Sequence, residues 1–319
     1  MNRAVENTSP LLKPKKRKLG KVLWDQKWLL VMSVPVLLYV FLFNYYPLWG
    51  WRYAFQTLDI STIKKGADWI GLDNFKWLFN EELFWLGFRN TLAMSLINLV
   101  FGTLASILLA ILLNEVRTRA FKRTVQTVTY LPHFLSMVIV VGMAQNMFVS
   151  DGPINQMLLS LGIIDKPIWW LGEGKYFWFL VGLINIWKEV GWNSIIYIST
   201  MTSIDPTLYE AAAIDGAGRF RKIFSITVPS ILPVITIMFI LRMGEIMNGG
   251  FDQIYNLQND IVASEAETLA LYIYRITFER KPDYGFSTAV GLFKSVINLF
   301  MMVAADRIVK WINGNGIFS

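Results

Sequence analysis

The chain has 319 residues, of which 54% are hydrophobic and 17% are charged, and its mean hydropathy is +0.43. This apolar excess is larger than a soluble domain needs for its core, so the composition favours a protein whose solvent is a lipid bilayer. The absence of cysteine excludes disulfides and thiolate metal sites, and a single histidine argues against a histidine-based zinc site, so no metal site is predicted.

The N-terminal segment carries much of the net charge of +7, since eight of the 30 Lys and Arg residues lie in the first 27 positions. It contains Pro10 and Pro14 and has no apolar periodicity, so residues 1–27 are predicted to be a basic, disordered cytosolic leader. The leader is expected to be solvated, and the alternative is that its basic residues contact anionic lipid headgroups. The apolar run that follows is too long for a signal peptide and has no small-residue cleavage site.

Six apolar segments approach the length of about 20 residues that crosses the hydrocarbon core of a bilayer. They are 28–49, 90–113, 125–149, 177–199, 231–248 and 286–306. The first three contain no Asp, Glu, Lys or Arg, whereas each of the last three contains at least one. The sequence therefore predicts a transmembrane domain over residues 28–310.

The orientation follows from the distribution of Lys and Arg over the connecting segments. With a cytosolic N-terminus, the inner segments hold 17 of these residues and the longer outer segments hold 10. The inner segments are 1–27, 114–124, 200–230 and 307–319, and the outer ones are 50–89, 150–176 and 249–285. The predicted fold is therefore an all-α polytopic membrane protein with six transmembrane helices and both termini in the cytosol, 311–319 forming a short tail.

The predicted outer loops are rich in aromatic residues, which fit either of two roles. The residues concerned are Trp69, Phe75, Trp77, Phe79, Phe84, Trp85, Trp169, Trp170, Tyr176 and Trp178. They form either an aromatic belt at the headgroup level or amphipathic segments that dock an extracytoplasmic partner.

Two features of the second and third segments favour structural roles. Small and polar residues at four-residue spacing let helices approach closely, so this stripe is predicted to serve packing. The stripe consists of Thr91, Ser95, Asn98, Gly102 and Ser106. His133 has no second histidine and no acidic residue near it in sequence, so it is interpreted as structural.

Ionisable residues within the last three segments are functional candidates, because a charge inside the membrane is costly unless it faces a cavity or a partner. The polar and charged residues predicted to line a water-filled pathway are Asn185, Lys188, Glu189, Trp192, Asn193, Arg242, Glu245, Asn248, Lys294 and Asn298. The alternative is that Arg242–Glu245 and Lys188–Glu189 serve structure at a subunit interface. Lys188 and Glu189 are adjacent, so they are not expected to pair along the helix, whereas Arg242 and Glu245 have the spacing to do so.

The longest inner segment, 205–229, predicts a helix–glycine–helix unit. Asp205 is a favourable N-cap and Pro206 fits a first helical turn. Gly216 and Gly218 are expected to end the helix that begins there, and a second helix starts at Arg219. Such a compact unit between two membrane helices can transmit movement to both of them.

The same loop resembles the motif of binding-protein-dependent ABC importer permeases. Glu210-Ala211-Ala212 is followed after three residues by Gly216, and after nine more by Ile226, Thr227, Val228 and Pro229, with Val228 replacing the usual leucine. Shorter stretches extend the resemblance to the MalF-type sugar permeases and to their LplB-type branch. These are Gly71 to Phe75, Asn90-Thr91-Leu92, Tyr130-Leu131-Pro132 and Tyr284 to Lys294.

The resemblance implies a bacterial cytoplasmic-membrane permease of the type I importer fold that moves an oligosaccharide. Its implied partners are a second homologous permease, two cytosolic ATPase subunits and an extracytoplasmic solute-binding protein, with no nucleic acid. The implied ATPase-coupling residues are Glu210, Ala211, Ala212, Asp215, Gly216, Ala217 and Arg219. The sequence contains no phosphate-binding loop, so the chain is expected not to be an enzyme and to bind no cofactor, ATP and Mg²⁺ residing on the partner ATPase.

The resemblance favours a sugar as the cargo. Three basic against two acidic side chains within the predicted spans also suit an acidic, uronate-containing sugar. A peptide, polyamine or phosphate cargo remains an alternative within the same architecture. Outside it, an ion-coupled secondary transporter would show related halves and broken spans, and an intramembrane enzyme would need a nucleophile–base arrangement. Neither pattern is evident in the sequence.

Overall fold

The computed structural model describes residues 24–59, 62, 66–313 and 316. These residues form helices and turns, with two isolated β-bridges that join Gln56 to Trp69 and Asp59 to Asp283. This confirms the all-α prediction. Most of the predicted leader lies outside the described residues, as does most of the predicted tail. The chain divides into two units, Met1–Arg52 and Tyr53–Ser319.

The N-terminal unit contains one long apolar helix. Helix α1, Lys27–Val40, continues as a π-helical turn over Phe41–Tyr45 and then as 3-10 turns over Tyr46–Phe55. Pro35 lies inside α1, where it removes one backbone donor from the helix. The whole run is long and apolar enough to cross a membrane, in agreement with the predicted first span.

The second unit is built from the remaining helices. They are α2 (Asp73–Asn80), α3 (Glu82–Ile97), α4 (Thr103–Glu115), α5 (Arg119–Tyr130), α6 (Met137–Phe148), α7 (Pro153–Ser160), α8 (Gly174–Thr202), α9 (Pro206–Ile214), α10 (Arg219–Lys222), α11 (Val228–Met243), α12 (Phe251–Leu257), α13 (Ala263–Ala266), α14 (Leu269–Tyr274) and α15 (Tyr284–Asn313). Short 3-10 turns cover Leu131–Phe134, Trp170–Gly172 and Asp260–Val262. Two pairs of helices join without a break through π turns, at Asn98–Gly102 and Ile223–Thr227, and a further π turn, Arg275–Glu279, extends α14.

Within the described residues, five helical stretches are long and apolar enough to span a bilayer. They are Lys27–Phe55, Glu82–Glu115, Met137–Ser160, Arg219–Met243 and Tyr284–Trp311. The predicted fourth segment, 177–199, lies inside the 29-residue helix α8, which contains Lys188 and Glu189 and is not one of the five. The count of six spans and the cytosolic termini therefore stay predictions.

The predicted third span, 125–149, is wrong as a single helix. Helix α5 ends at Tyr130, and Pro132 starts a 3-10 turn because it lacks a backbone donor. Ser136 then caps α6, its hydroxyl accepting from the Ile139 amide at 3.4 Å. Helix α5 is thus a separate amphipathic helix, and the apolar stretch of membrane-spanning length begins at Met137.

The predicted fifth span, 231–248, differs from the structure at both ends. The helical run begins at Arg219 and passes through a π turn into α11, with Pro229 in the first turn. It ends at Met243, and Gly249 and Gly250 follow with φ of +54° and +59°. These left-handed conformations favour glycine and turn the chain towards α12.

Helix α8 is the central helix of this unit, because it packs against α3, α4, α5 and α11. Two glycines permit these close approaches. A Cβ added at Gly182 would lie 2.6 Å from Ile97 Cγ2, and one added at Gly191 would lie 2.0 Å from the Thr129 carbonyl oxygen. One side of α8 therefore touches the backbone of α5, while another side faces a polar cavity.

Candidate functional site

A cavity of about 360 Å³ opens between α3, α8 and α11. Polar residues and glycines from all three helices and the following turn line it. They are Ser95, Asn98, Gly102, Asn185, Glu189, Asn193, Arg242, Glu245, Gly249, Gly250 and Gln253. The structure thus brings together five residues of the predicted pathway: Asn185, Glu189, Asn193, Arg242 and Glu245.

The stripe on α3 and its π turn contributes to the cavity, so its assignment to packing alone is wrong. Ser95, Asn98 and Gly102 line the cavity, whereas Ser106 is buried, its hydroxyl bonding back to the Gly102 carbonyl at 2.7 Å. Thr91 bridges to the Leu269 amide at 3.0 Å and does serve packing. Asn98 begins the π turn, a helix distortion that recurs at functional sites.

Asn98 also holds a buried oxygen, Oδ1, that has no hydrogen-bond partner among the described residues. A buried polar atom without a partner costs about 1–3 kcal/mol, so such atoms are rare in native proteins. Asn98 also lines the cavity, so it adds a polar side chain to the wall. The periodic polar residues of this segment were the sequence signal for it.

Gln253 was not predicted, because it lies beyond the predicted fifth span. Its side chain is buried, and its Nε2 donates to the Val181 carbonyl at 2.8 Å. Its Oε1 accepts from Asn185 Nδ2 at 3.5 Å. The turn at Gly249 and Gly250 returns the chain to the cavity, so Gln253 holds the amide of Asn185 in its wall.

Arg242 and Glu245 both line the cavity but do not pair, so the predicted i,i+3 ion pair is wrong. Arg242 Nη1 donates to Thr103 Oγ1 at 3.2 Å, a neutral partner on α4. The helix ends at Met243, so Glu245 lies in the turn rather than on the helical face that the spacing assumed. Its side chain is exposed.

Lys188, Glu189 and His133 form a bonded network, which corrects two expectations. Lys188 Nζ lies 2.9 Å from Glu189 Oε1, so the adjacent residues do pair. His133 Nδ1 lies 2.8 Å from Glu189 Oε2, so the histidine has the acidic neighbour that the sequence did not reveal. Lys188 Nζ also donates to the His133 carbonyl at 2.8 Å. The network ties the turn at Leu131–Phe134 to α8.

The other predicted pathway residues lie outside the cavity lining. Trp192 stacks on the His133 ring, with centroids 4.4 Å apart and planes 3° apart, so one face of its indole is already covered. Asn298 Oδ1 accepts from the Met247 amide at 2.9 Å and supports the turn after α11. Asn248 lies in that turn, and Lys294 lies on α15 with no hydrogen bond or ion pair to the described residues.

The aromatic residues of the predicted outer loops divide into two groups. Phe84 is fully buried and packs edge-on against Phe293, so it belongs to the core. Trp69, Trp77 and Trp85 remain about half exposed or more. The choice between an aromatic belt and a docking surface concerns this second group.

The loop 205–229 has the predicted helix–glycine–helix structure. Asp205 Oδ1 accepts from the Thr207 amide at 2.9 Å, and this bond lowers the pKa of the Asp205 carboxyl. After α9, Gly216 has a φ of +74°. Its amide bonds to the Ala213 carbonyl and that of Ala217 to the Ala212 carbonyl, the pattern of a glycine-terminated helix.

The surface of this loop is open and apolar at its tip. The side chains of Ile214, Phe220 and Phe224 are 87%, 78% and 69% exposed. Tyr209 joins the loop to the next helix through a 2.9 Å hydrogen bond between its hydroxyl and that of Thr227. Of the predicted coupling residues, Glu210, Ala211, Asp215, Gly216 and Arg219 are exposed, and Ala212 and Ala217 are partly buried.

Comparison with protein families gives a match over residues 102–314 to the family described as binding-protein-dependent transport system inner membrane components. The match covers α4 to α15 and so includes the loop 205–229 and most of the cavity.

Individual relatives match over most of the chain. A polygalacturonan/rhamnogalacturonan transport system permease protein, YteP of Bacillus subtilis, is 39% identical over 96% of this chain and 95% of its own length. The lactose transport system permease protein LacF of Rhizobium radiobacter is 30% identical over 74% of this chain and 80% of its own.

A solved structure also matches over most of this chain. A crystal structure of a bacterial ABC transporter involved in the import of the acidic polysaccharide alginate contains a chain that is 34% identical to this one. The TM-score is 0.84, and the match covers 93% of this chain and 100% of that one. A second crystal structure, in complex with an alginate pentasaccharide-bound periplasmic protein, matches with the same score.

Proposed function

The chain belongs to the family of binding-protein-dependent transport system inner membrane components, and we propose that it is the permease subunit through which an ATP-driven importer moves an oligosaccharide into the cytoplasm. The observation that carries this proposal is the combination of a polar cavity among apolar helices with an exposed helix–glycine–helix loop. The polar cavity suits a hydroxyl-rich cargo. The exposed loop suits contact with a separate subunit that drives the movement of the helices.

The cavity wall has the chemistry of a sugar site. The amide side chains of Asn185 and Asn193 offer donors and acceptors, and the carboxylate of Glu245 offers a strong acceptor for hydroxyl groups. Glycines at 102, 249 and 250 add space and exposed backbone. The relatives named above are permeases for polysaccharides and a disaccharide, which supports an oligosaccharide over a peptide, polyamine or phosphate.

Acidic, uronate-containing sugars are the favoured cargo. The polygalacturonan/rhamnogalacturonan permease and the alginate importer are both described with acidic polysaccharides, and both are more similar to this chain than the lactose permease is. The cavity holds one arginine, Arg242, to meet such a charge.

The chain is proposed to assemble with a second homologous permease, two cytosolic ATPase subunits and an extracytoplasmic solute-binding protein. The likeness to a transporter crystallised with a periplasmic protein supports the last of these partners. ATP and Mg²⁺ would bind the ATPase subunits, and this chain would hold no cofactor of its own. The exposed residues Ile214 and Phe220 offer the apolar contact that an ATPase subunit would cover.

Coupling then depends on the helices that flank the loop 205–229. Closure of the ATPase subunits would pull on α9 and α10, and the π turn at Ile223–Thr227 links α10 to α11 without a break in the helix. Because α8 and α11 both line the cavity, their movement would change its access from one side of the membrane to the other. Coupling needs only that ATP and the loaded binding protein favour one conformation over the other.

An ion-coupled transporter or an intramembrane enzyme fits less well. Glu189 is already bonded to Lys188 and His133, which leaves it poorly suited to carry an ion or a proton. Neither alternative gives a role to the exposed loop.

The test is co-purification of the chain from native membranes with the subunits that it retains, followed by ATPase measurements with and without binding proteins and oligosaccharides. We expect an ATPase to co-purify and a sugar-loaded binding protein to stimulate it. Transport without any associated ATPase would contradict the proposal and favour the ion-coupled alternative.

A further inference from the structure

The charged residues at the cavity differ in whether they have an oppositely charged partner. Glu189 has two partners, Lys188 at 2.9 Å and His133 at 2.8 Å, and Lys188, which is 7% exposed and lies outside the cavity lining, also donates to the His133 carbonyl. This acidic and this basic side chain therefore cancel each other. The remaining charges that face the cavity are Arg242 and Glu245.

Arg242 has no anionic partner among the described residues. A guanidinium has five N–H donors, and a single hydrogen bond, to the neutral hydroxyl of Thr103, is formed within the described part of the chain. The side chain is only partly exposed and belongs to a membrane-spanning stretch, where an unpaired charge is costly and marks a functional site. Among the described residues, Arg242 is therefore a cation at the cavity wall without a counter-charge.

The surroundings of Arg242 leave its donors open to the cavity. Gly102 faces the guanidinium, and a Cβ added there would lie 3.9 Å from Arg242 Nη1, so no side chain covers this side. Glu245 lies in the turn that follows, with an exposed side chain directed at the same cavity. A carboxylate in that position accepts hydrogen bonds from hydroxyl groups but repels a second carboxylate.

We propose that Arg242 is the specificity-determining residue of the pathway and that it binds the carboxylate of a uronate unit in the passing sugar chain. Arginine matches a carboxylate through two parallel N–H bonds, a geometry that a neutral sugar does not offer. Glu245 and the amides of Asn185 and Asn193 would then bind ring hydroxyls. The inference rests on the proposed import of oligosaccharides and adds the residue that selects acidic chains.

The experiment uses two probes with the same sugar backbone, trigalacturonate and its fully methyl-esterified form, in which each carboxylate is a neutral ester. Binding of each tritiated probe is measured on the assembly purified from native membranes into nanodiscs, without the external binding protein, so that selection by that protein does not enter. The variants are Arg242→Gln and Arg242→Lys. Lys175→Gln serves as the control, because it removes one positive charge from an exposed side chain that does not line the cavity.

We expect the wild-type assembly to prefer the acid over the ester by about tenfold, the scale of a charge-assisted pair of hydrogen bonds. Arg242→Gln should abolish the preference and leave the affinity for the ester unchanged, Arg242→Lys should retain part of it, and Lys175→Gln should retain all of it. Glu245→Gln should tighten binding of the acid alone, because it removes a like charge.

Two results would overturn the inference while leaving oligosaccharide import intact. One is a wild-type assembly that binds acid and ester equally. The other is a loss of affinity for both probes in Arg242→Gln with unchanged basal ATPase activity, which would assign Arg242 a structural role. A wild-type assembly that binds neither probe and is stimulated by no sugar-loaded binding protein would overturn the proposed function together with the inference.

Discussion

The loop 205–229 and the polar cavity are opposite kinds of candidate functional region. The loop is built from local interactions: a cap at Asp205, a left-handed glycine at Gly216 and an exposed apolar tip. The cavity is built from contacts between residues far apart in sequence, such as His133 with Glu189 and Asn185 with Gln253. Substitutions in the loop can therefore leave the core undisturbed, whereas the shape of the cavity depends on how the helices pack.

This difference predicts how each region tolerates substitution. Changes in the loop should alter coupling while leaving stability nearly intact. Changes in the cavity wall should affect stability and cargo binding together, because the same side chains hold the helices in place.

Gly191→Ala should destabilise the protein by about 3 kcal/mol or more, the upper end of what overpacking costs. The added Cβ would lie 2.0 Å from the Thr129 carbonyl oxygen, and a backbone atom cannot rotate away. Helix α8 would have to move from α5 and carry the cavity wall with it. Gly142→Ala on α6 is the matched control, since nothing lies within 4 Å of its added Cβ. Thermal unfolding of the purified variants measures the effect, and equal transition temperatures for the two would refute it.

Lys188→Met should lower the free energy of unfolding by about 2–3 kcal/mol, somewhat less than the loss of a fully buried ion-pair partner. The effect is smaller because Glu189 keeps His133 as a partner and its side chain is 26% exposed. Adding Glu189→Gln should restore part of the stability, since it removes the carboxylate that was left behind. Glu210→Gln in the loop should change stability by less than about 0.5 kcal/mol. Denaturation of the two single variants and the double variant measures the coupling, and additive effects would contradict the network.

Gly216→Ala should cost about 1–2 kcal/mol of local free energy, because its φ of +74° disfavours any residue with a Cβ. We expect the loop to change shape and the stimulation of ATPase activity by loaded binding protein to fall, while the unfolding temperature stays close to wild type. Gly218→Ala is the control, with a φ of −69° and nothing within 4 Å of its added Cβ. A loss of stimulation in both variants would show that φ is not the cause.

The Asp205 cap should give the loop a weak dependence on acid pH. The amide of Thr207 lowers the pKa of the Asp205 carboxyl below its unfolded value, so the cap stabilises α9 above the unfolded pKa. This stabilisation is lost as the pH falls through the lowered, folded pKa. Pepsin cleavage within 206–214 should therefore rise on acidification in the wild type and follow a flatter profile in Asp205→Asn. Identical profiles would argue against the cap.

The same contrast explains how much of the molecule could be predicted from the sequence. The loop was predicted almost residue by residue, because a cap, a proline and two glycines act over a few positions. The all-α membrane fold followed from composition and apolar runs. The break at Leu131–Phe134 was missed, since the apolar run of 125–149 hid the effect of Pro132 and Ser136.

The cavity was only half predicted for a physical reason. Asn185, Glu189 and Asn193 were predicted to line a pathway, and the structure confirms that they share the cavity. Spacing alone gave neither the pairing of Lys188 with Glu189 nor the turn that carries Glu245 away from Arg242. Gln253 reaches the cavity only because two left-handed glycines reverse the chain.

The most direct test of the division between the two regions is to measure trigalacturonate binding and binding-protein-stimulated ATPase activity on one preparation each of Arg242→Gln and Gly216→Ala. We predict that Arg242→Gln binds trigalacturonate about tenfold more weakly but keeps basal ATP hydrolysis, and that Gly216→Ala keeps wild-type trigalacturonate binding but loses stimulation. If each variant lost both activities, or if Gly216→Ala weakened sugar binding as much as Arg242→Gln, cargo recognition and coupling would not be separate and the account would be wrong.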